Sequence, residues 1–66
     1  MHVTVNGKEM QFEGPLSVGD LLEMLGVNPK AVVVERNLTI LDRDRFTVEP
    51  VRNGDSIEII RFVGGG

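Results

Sequence analysis

The chain contains no cysteine and a single histidine. The first absence excludes a disulfide framework, a thiolate nucleophile and any cysteine-ligated metal or cluster. The second leaves His2 without a histidine or cysteine companion to complete a metal site or a catalytic triad. Its place on the presumed outer side of the first strand reads as a solvated surface residue. Tryptophan and tyrosine are missing as well, so the aromatic interleaving on which single-strand nucleic-acid binders stack bases is not available. Seven basic residues against ten acidic ones give a net charge of −3, whereas binding a phosphate backbone needs a basic face. No stretch approaches the ~20 apolar residues of a membrane span, and the first residues form neither a basic region nor an apolar signal core. The expected setting is the cytoplasm, with no nucleic-acid or membrane partner.

What is present is an ordinary globular composition, 41% hydrophobic and 26% charged, in 66 residues. That length makes one domain near the lower limit for folding alone, burying only about 60% of its unfolded surface. A chain so short and without staples must rely on a well-patterned core and has little room for a deep pocket.

The pattern begins with Met1 to Val5 and Lys8 to Glu13 flanking Asn6-Gly7. That dipeptide is the strongest short hairpin signal, because both residues tolerate the positive φ of a type I′ turn. A two-residue loop sets Val5 opposite Lys8, Val3 opposite Met10 and Met1 opposite Phe12, gathering Met1, Val3, Val5, Met10 and Phe12 on one face. Gly14-Pro15 ends the hairpin. Ser17 then stands as a helix N-cap with Asp20 at the capping-box position, and Leu16 and Leu21 occupy the positions of a hydrophobic staple. Val18, Leu21, Leu22 and Leu25 form one apolar stripe, Gly26 follows as the C′ residue, and Pro29 prevents continuation. Ala31 to Val34 is a continuous apolar run, as expected of an interior strand, and Glu35-Arg36-Asn37 is expected to turn the chain back to solvent.

Leu38 to Leu41 leads into Asp42-Arg43-Asp44-Arg45, whose alternating charges read as a solvated turn with weak local pairing. Phe46 and Val48 alternate with Thr47 and Glu49, which suggests a short strand ended by Pro50; one helical turn over Asp42 to Phe46 is equally allowed. Asn53-Gly54-Asp55 is a turn. The last strand, Ser56 to Val63, carries apolar residues on both parities. If Ile57 and Ile59 join the core, Ile60 and Phe62 lie on the outer sheet face, either exposed as a docking patch for a partner or covered by the Leu38–Leu41 segment. This order of elements predicts an α+β fold of the β-grasp, or ubiquitin-like, type: a mixed four- to five-stranded sheet with one main helix on one face. The first and last strands are then parallel and adjacent. Residues 1–62 form the domain and residues 63–66 a flexible glycine-rich tail.

The closing Val63-Gly64-Gly65-Gly66 is the focus of the functional reading. Glycines without a Cβ are thin and unrestricted in φ, suited to threading a narrow channel in another protein. Four extended residues reach roughly 13 Å. The plainer reading is a frayed end or linker. Against it, the glycines follow directly on an apolar strand pattern with no serine-rich or charged spacer. The group of interest is then the carboxylate of Gly66, with Val63, Gly64 and Gly65 as the threading segment.

The sequence resembles the small ubiquitin-like sulfur carriers, most closely the ThiS-like branch of thiamine biosynthesis within the wider superfamily that includes the molybdopterin-synthase small subunits. The resemblance runs through Val5-Asn6-Gly7, Val18-Gly19-Asp20-Leu21-Leu22, Ala31-Val32-Val33-Val34-Glu35-Arg36-Asn37, Arg43, Asn53-Gly54-Asp55, Ile57-Glu58-Ile59 and Phe62-Val63-Gly64-Gly65-Gly66. It implies a carrier with no catalytic residues, no metal and no cofactor bound intrinsically. An E1-like, ThiF-like partner uses ATP to adenylate the Gly66 carboxylate. Sulfur from a cysteine desulfurase route converts it to a thiocarboxylate, and a ThiG-like thiazole synthase receives the sulfur. The family tail needs only a terminal Gly-Gly, so Gly64 is extra. The molybdopterin-synthase small subunits share fold, ending and adenylation but are typically longer, and Glu35-Arg36-Asn37 looks more like the thiamine branch. The same tail also suits sulfur donation to molybdopterin or a tRNA base, or a ubiquitin-like modifier joined to lysines. A plain interaction module would not need it.

Overall fold

The structure is a computed structural model, and it describes residues 1–62 of the chain. The chain opens as a tight hairpin: β1 (His2–Val5) runs antiparallel to β2 (Lys8–Gln11), with Val5 opposite Lys8 and Val3 opposite Met10. Asn6 and Gly7 have φ of 49° and 79°, the left-handed pair that a two-residue turn needs to match the twist of the strands. The Met1 ammonium donates to the Phe12 carbonyl at 2.7 Å and the Phe12 amide to the Met1 carbonyl at 3.0 Å, extending the pairing beyond the strands. Val3, Val5 and Phe12 are buried, with Met1 and Met10 packed partly against them.

A two-residue strand, β3 (Leu16–Ser17), leads into α1 (Val18–Met24). The Ser17 hydroxyl accepts from the Asp20 amide at 3.0 Å, and the Asp20 carboxylate accepts from the Ser17 amide at 2.9 Å. This capping box satisfies two backbone donors that the helix start would leave orphaned. At the other end the Gly26 amide donates to the Glu23 carbonyl at 3.0 Å and Val27 to Leu22 at 2.9 Å, a Schellman closure made possible by the positive φ of Gly26, 69°. Two turns of helix are not stable alone in water. Burial of Val18, Leu21 and Leu22 against the sheet holds it.

A 3₁₀ turn at Pro29–Ala31 feeds β4 (Val32–Arg36). Glu35 and Arg36 belong to this strand rather than to a turn. The reversal starts two residues later, at Asn37 and Leu38, both with positive φ (52° and 71°), and β5 (Thr39–Ile40) pairs back onto Glu35 and Arg36. The segment after it follows the helical alternative: a 3₁₀ turn occupies Arg43–Arg45, and the Val48 and Glu49 amides both donate to the Arg45 carbonyl. The expected alternating strand over residues 46–49 is absent because Phe46 is drawn into the core while Val48 is left 58% exposed. Pro50 begins β6 (Pro50–Val51) instead of ending a strand. It pairs with Ser17 in a separate two-stranded sheet of β3 and β6, an edge position where a missing amide is tolerated.

The last strand, β7 (Ser56–Arg61), lies between β1 and β4, parallel to the first and antiparallel to the second. The main sheet therefore runs β2-β1-β7-β4-β5, five strands with α1 across one face. Two asparagines fix the central strand: the Asn6 side chain accepts from the Ile59 amide at 2.7 Å, and that of Asn37 accepts from the Ser56 amide at 2.9 Å. Asp55, the one buried charged residue among those described, accepts from the Arg52 amide and from the Asn37 side chain at 2.8 and 3.1 Å. Arg36 ties the two sheets together, donating to the Pro50 carbonyl at 2.7 Å and to the Glu49 carboxylate at 2.5 Å. The expected domain span ends where the described residues end. The expected tail, residues 63–66, lies outside them.

Candidate functional site

Strand β7 sorts its side chains by parity. Ile57 is wholly buried, at 0% exposure, and Ile59 packs at the edge of the core. Ile60 and Phe62, of the opposite parity, are 46% and 59% exposed on the face away from the helix. The Leu38–Leu41 segment does not cover them: Leu38 is 91% exposed and Ile40 65% exposed. The Phe62 amide donates to the Ala31 carbonyl at 3.1 Å, fixing the end of the described chain beside the start of β4.

Register extends this patch across three strands. Val33 stands opposite Ile60, Glu35 opposite Glu58, and Ile40 opposite Glu35. Since residues directly paired share a sheet face, Val33, Ile40, Ile60 and Phe62 form an apolar area interrupted by two carboxylates. The other half of the same face, on β1 and β2, presents His2, Thr4, Glu9 and Gln11. His2 is exposed and meets the Glu9 carboxylate at 3.0 Å. Reading the sequence identified Ile60 and Phe62 but not Val33 or Ile40. A continuous apolar run such as Ala31–Val34 says that a strand is apolar on both sides without saying how many sides are covered. Val63, Gly64, Gly65 and Gly66, the threading and modified positions, lie outside the described residues.

On the opposite side of the molecule a surface groove of about 500 Å³ runs between α1 and the Arg43–Arg45 turn, with Asp20 and Glu23 on one wall and Lys30 and Arg43 on the other. Two of these groups have structural occupations: Asp20 closes the capping box, and the Arg43 guanidinium donates to the Pro29 carbonyl at 3.1 Å. Among the described residues no group of histidine, cysteine and carboxylate side chains is arranged to hold a metal, and no helix is long and apolar enough to cross a membrane. The Glu49 carboxyl is held below the usual glutamate range, chiefly by its hydrogen bond from Arg36, against a smaller opposing effect of desolvation. That shift belongs to the link between the two sheets and not to reaction chemistry.

A one-helix β-grasp with an apolar outer face at the root of a glycine-rich end has the architecture of ubiquitin-like carrier domains. The particular family is the ThiS family, whose model matches residues 3–66; the chain belongs to it. It is 36% identical over 63 residues to the sulfur carrier protein ThiS of Bacillus subtilis, covering 94% of this chain and 96% of that one. It is 41% identical over 66 residues to a thiazole synthase of Paramagnetospirillum magneticum, where all of this chain corresponds to 20% of the longer protein. The chain thus spans about one fifth of the length of that relative. The crystal structure of the thiamine biosynthesis protein ThiS from Geobacter metallireducens superposes with a TM-score of 0.86 at 40% identity, over the full length of both chains.

Proposed function

We propose that the protein is a sulfur carrier for thiazole formation in thiamine biosynthesis, acting through the carboxylate of Gly66. The observation that carries this reading is the family match, which runs to residue 66 and takes in the three closing glycines. The match to part of a thiazole synthase adds support, since in that relative a segment like this chain is covalently part of the enzyme.

The chemistry explains why a carrier needs partners. A carboxylate is a poor electrophile. An E1-like adenylating enzyme joins one carboxylate oxygen of Gly66 to the α-phosphorus of ATP, expelling pyrophosphate and creating a mixed anhydride with AMP as leaving group. The outer sulfur of a persulfide drawn from a cysteine desulfurase attacks the acyl carbon and expels AMP, giving an acyl disulfide. A thiol then attacks the persulfide's inner sulfur, leaving that sulfur in a disulfide and releasing Gly66 as the thiocarboxylate. The thiocarboxylate is a good nucleophile and passes its sulfur to a thiazole synthase. In this scheme the chain supplies the threading segment Val63, Gly64 and Gly65 and a docking patch at Ile60 and Phe62. ATP is used by the activating partner, in the cytoplasm, and the chain performs no catalysis of its own.

Intact-protein mass spectrometry tests the proposal. After incubation with an adenylating enzyme, ATP, a persulfide source and a thiol reductant, the mass should rise by the difference between sulfur and oxygen, localised to Gly66. An unchanged mass with an enzyme proven active on another carrier sinks it. Deleting Gly65 and Gly66 should abolish the mass change while leaving the thermal transition of the body in place.

A further inference from the structure

The outer sheet face contains an arrangement that folding alone does not favour. Glu35 on β4 and Glu58 on β7 are direct antiparallel partners, so their carboxylates project side by side from one surface. Like charges directly opposite each other destabilise a sheet. Neither carboxylate has a hydrogen-bond or ion-pair partner among the described residues. The basic residues of the strands do not relieve them: Lys8, Arg36 and Arg61 pair with Val5, Ile57 and Val32, which places them on the helix-bearing side. The acidic pair sits among exposed Ile40, Ile60 and Phe62 and half-buried Val33. The unfavourable features converge on one surface and add nothing to the fold.

We propose that Glu35 and Glu58 are specificity determinants of this face, fitted to a protein partner that is apolar at the contact and places an arginine or lysine against the two carboxylates. Resting on the carrier reading, this assigns the adenylating enzyme's contact surface a definite chemistry. Arginine is the better match, because its planar fork of donors engages two carboxylates at once. A second copy of the chain is a poor occupant. Each copy carries a net charge of −3, and pairing the two faces would bring four carboxylates together. Desolvated by the surrounding apolar side chains, the carboxylate–cation contact gains strength that it would not have on an open surface.

The test measures binding of an E1-like adenylating enzyme to the full chain without ATP, for wild type, Glu35→Gln, Glu58→Gln and the double variant, over a range of salt. Each single change should weaken binding about tenfold and flatten its salt dependence, with the thermal midpoint unchanged or raised because the repulsion in the free protein is relieved. Equal affinity of the double variant and wild type at all salt concentrations overturns the proposal. So does dimerisation of the wild type in sedimentation that Ile60→Asp abolishes, since a second copy would then own the face. The carrier reading is judged separately, by the mass at Gly66. Thiolation without any effect of the glutamates removes only the present inference. Charge-dependent binding of the enzyme without thiolation removes only the carrier reading.

Discussion

Replacing Ile57 and Ile60 by alanine, one at a time, separates the two faces of β7 and the two kinds of work assigned to them. Both changes remove three carbons, each contributing about 0.8 kcal/mol when fully buried. For Ile57, at 0% exposure, the whole transfer cost of about 2.4 kcal/mol applies. The cavity left in the buried core cluster adds to it, placing the loss at about 3–4 kcal/mol. Ile60, at 46% exposure, forfeits about half the transfer cost, roughly 1 kcal/mol, and water fills the space. In a domain of this size each kcal/mol moves the thermal midpoint by about 4–8 °C. Calorimetry should therefore show a fall of more than ~12 °C for Ile57→Ala and about 5 °C for Ile60→Ala. Under the proposed function, titration against an E1-like adenylating enzyme should show the reverse order. The folded fraction of Ile57→Ala should bind as wild type does, and Ile60→Ala should bind more weakly. Equal stability losses would mean that the faces of β7 are wrongly assigned. Unaltered binding by Ile60→Ala would remove this residue from the docking surface.

Arg36→Gln removes the guanidinium that lowers the Glu49 pKa. A depressed carboxyl pKa contributes stability that is present above the ordinary glutamate range and is lost as pH falls through the folded value. The stability gap between wild type and Arg36→Gln should therefore be full at neutral pH and narrow below about pH 4; a gap constant with pH would place the contribution of Arg36 in its bond to the Pro50 carbonyl. Leu38→Gly should leave stability unchanged or raise it by up to about 1 kcal/mol: a left-handed conformation costs an L-residue about 1–2 kcal/mol, offset in part by the greater unfolded freedom of glycine. Leu38 is 91% exposed at φ 71°, so little packing is given up, and a loss above ~2 kcal/mol in denaturant unfolding would contradict its exposure.

The parts of the fold visible in the sequence are those in which local pattern and tertiary structure agree. Asn6-Gly7 fixed a register that every alternating apolar residue of β1 and β2 supports, and Ser17, Asp20 and Gly26 mark the ends of α1 by their own hydrogen-bonding chemistry. The segment from Leu38 to Val51 carries no comparable period. Strands of two residues, such as β3, β5 and β6, are too short to show one. Phe46 goes into the core as a single anchor, leaving its neighbours without alternation. The turn at Asn37 and Leu38 starts two residues beyond the expected Glu35 because nothing in a leucine announces positive φ. Its position comes from long-range contacts: Asn37 spans to Asp55 and Ser56, and those bonds set the end of β4. The side-chain bond from Asn6 to the Ile59 amide is hidden in the same way, since the sequence shows only a turn residue.

The site was legible to the extent that β7 broke the one-sided rule, and what remained hidden was its breadth. A sheet with one short helix can cover only one face, so the helix side of Val32, Val34 and Ile57 is filled while Val33, Ile40, Ile60 and Phe62 stay in contact with solvent. Polar residues at these four positions would serve the fold equally well, as His2, Thr4, Glu9 and Gln11 do on the other half of the same face. The apolar half reaches Phe62, the residue before the threading segment. Under the proposed function this placement matters physically. A partner that holds Phe62 has the Gly66 carboxylate on a leash of four residues, within roughly 13 Å. Docking of the body then raises the effective concentration of the tail at the active site, so that reaction of the terminus becomes an intramolecular step. Lengthening the leash by an inserted glycine pair between Phe62 and Gly64 should accordingly reduce the rate of adenylation while leaving the affinity of the body unaltered. An equal rate would show that the tail is positioned by the partner's channel alone.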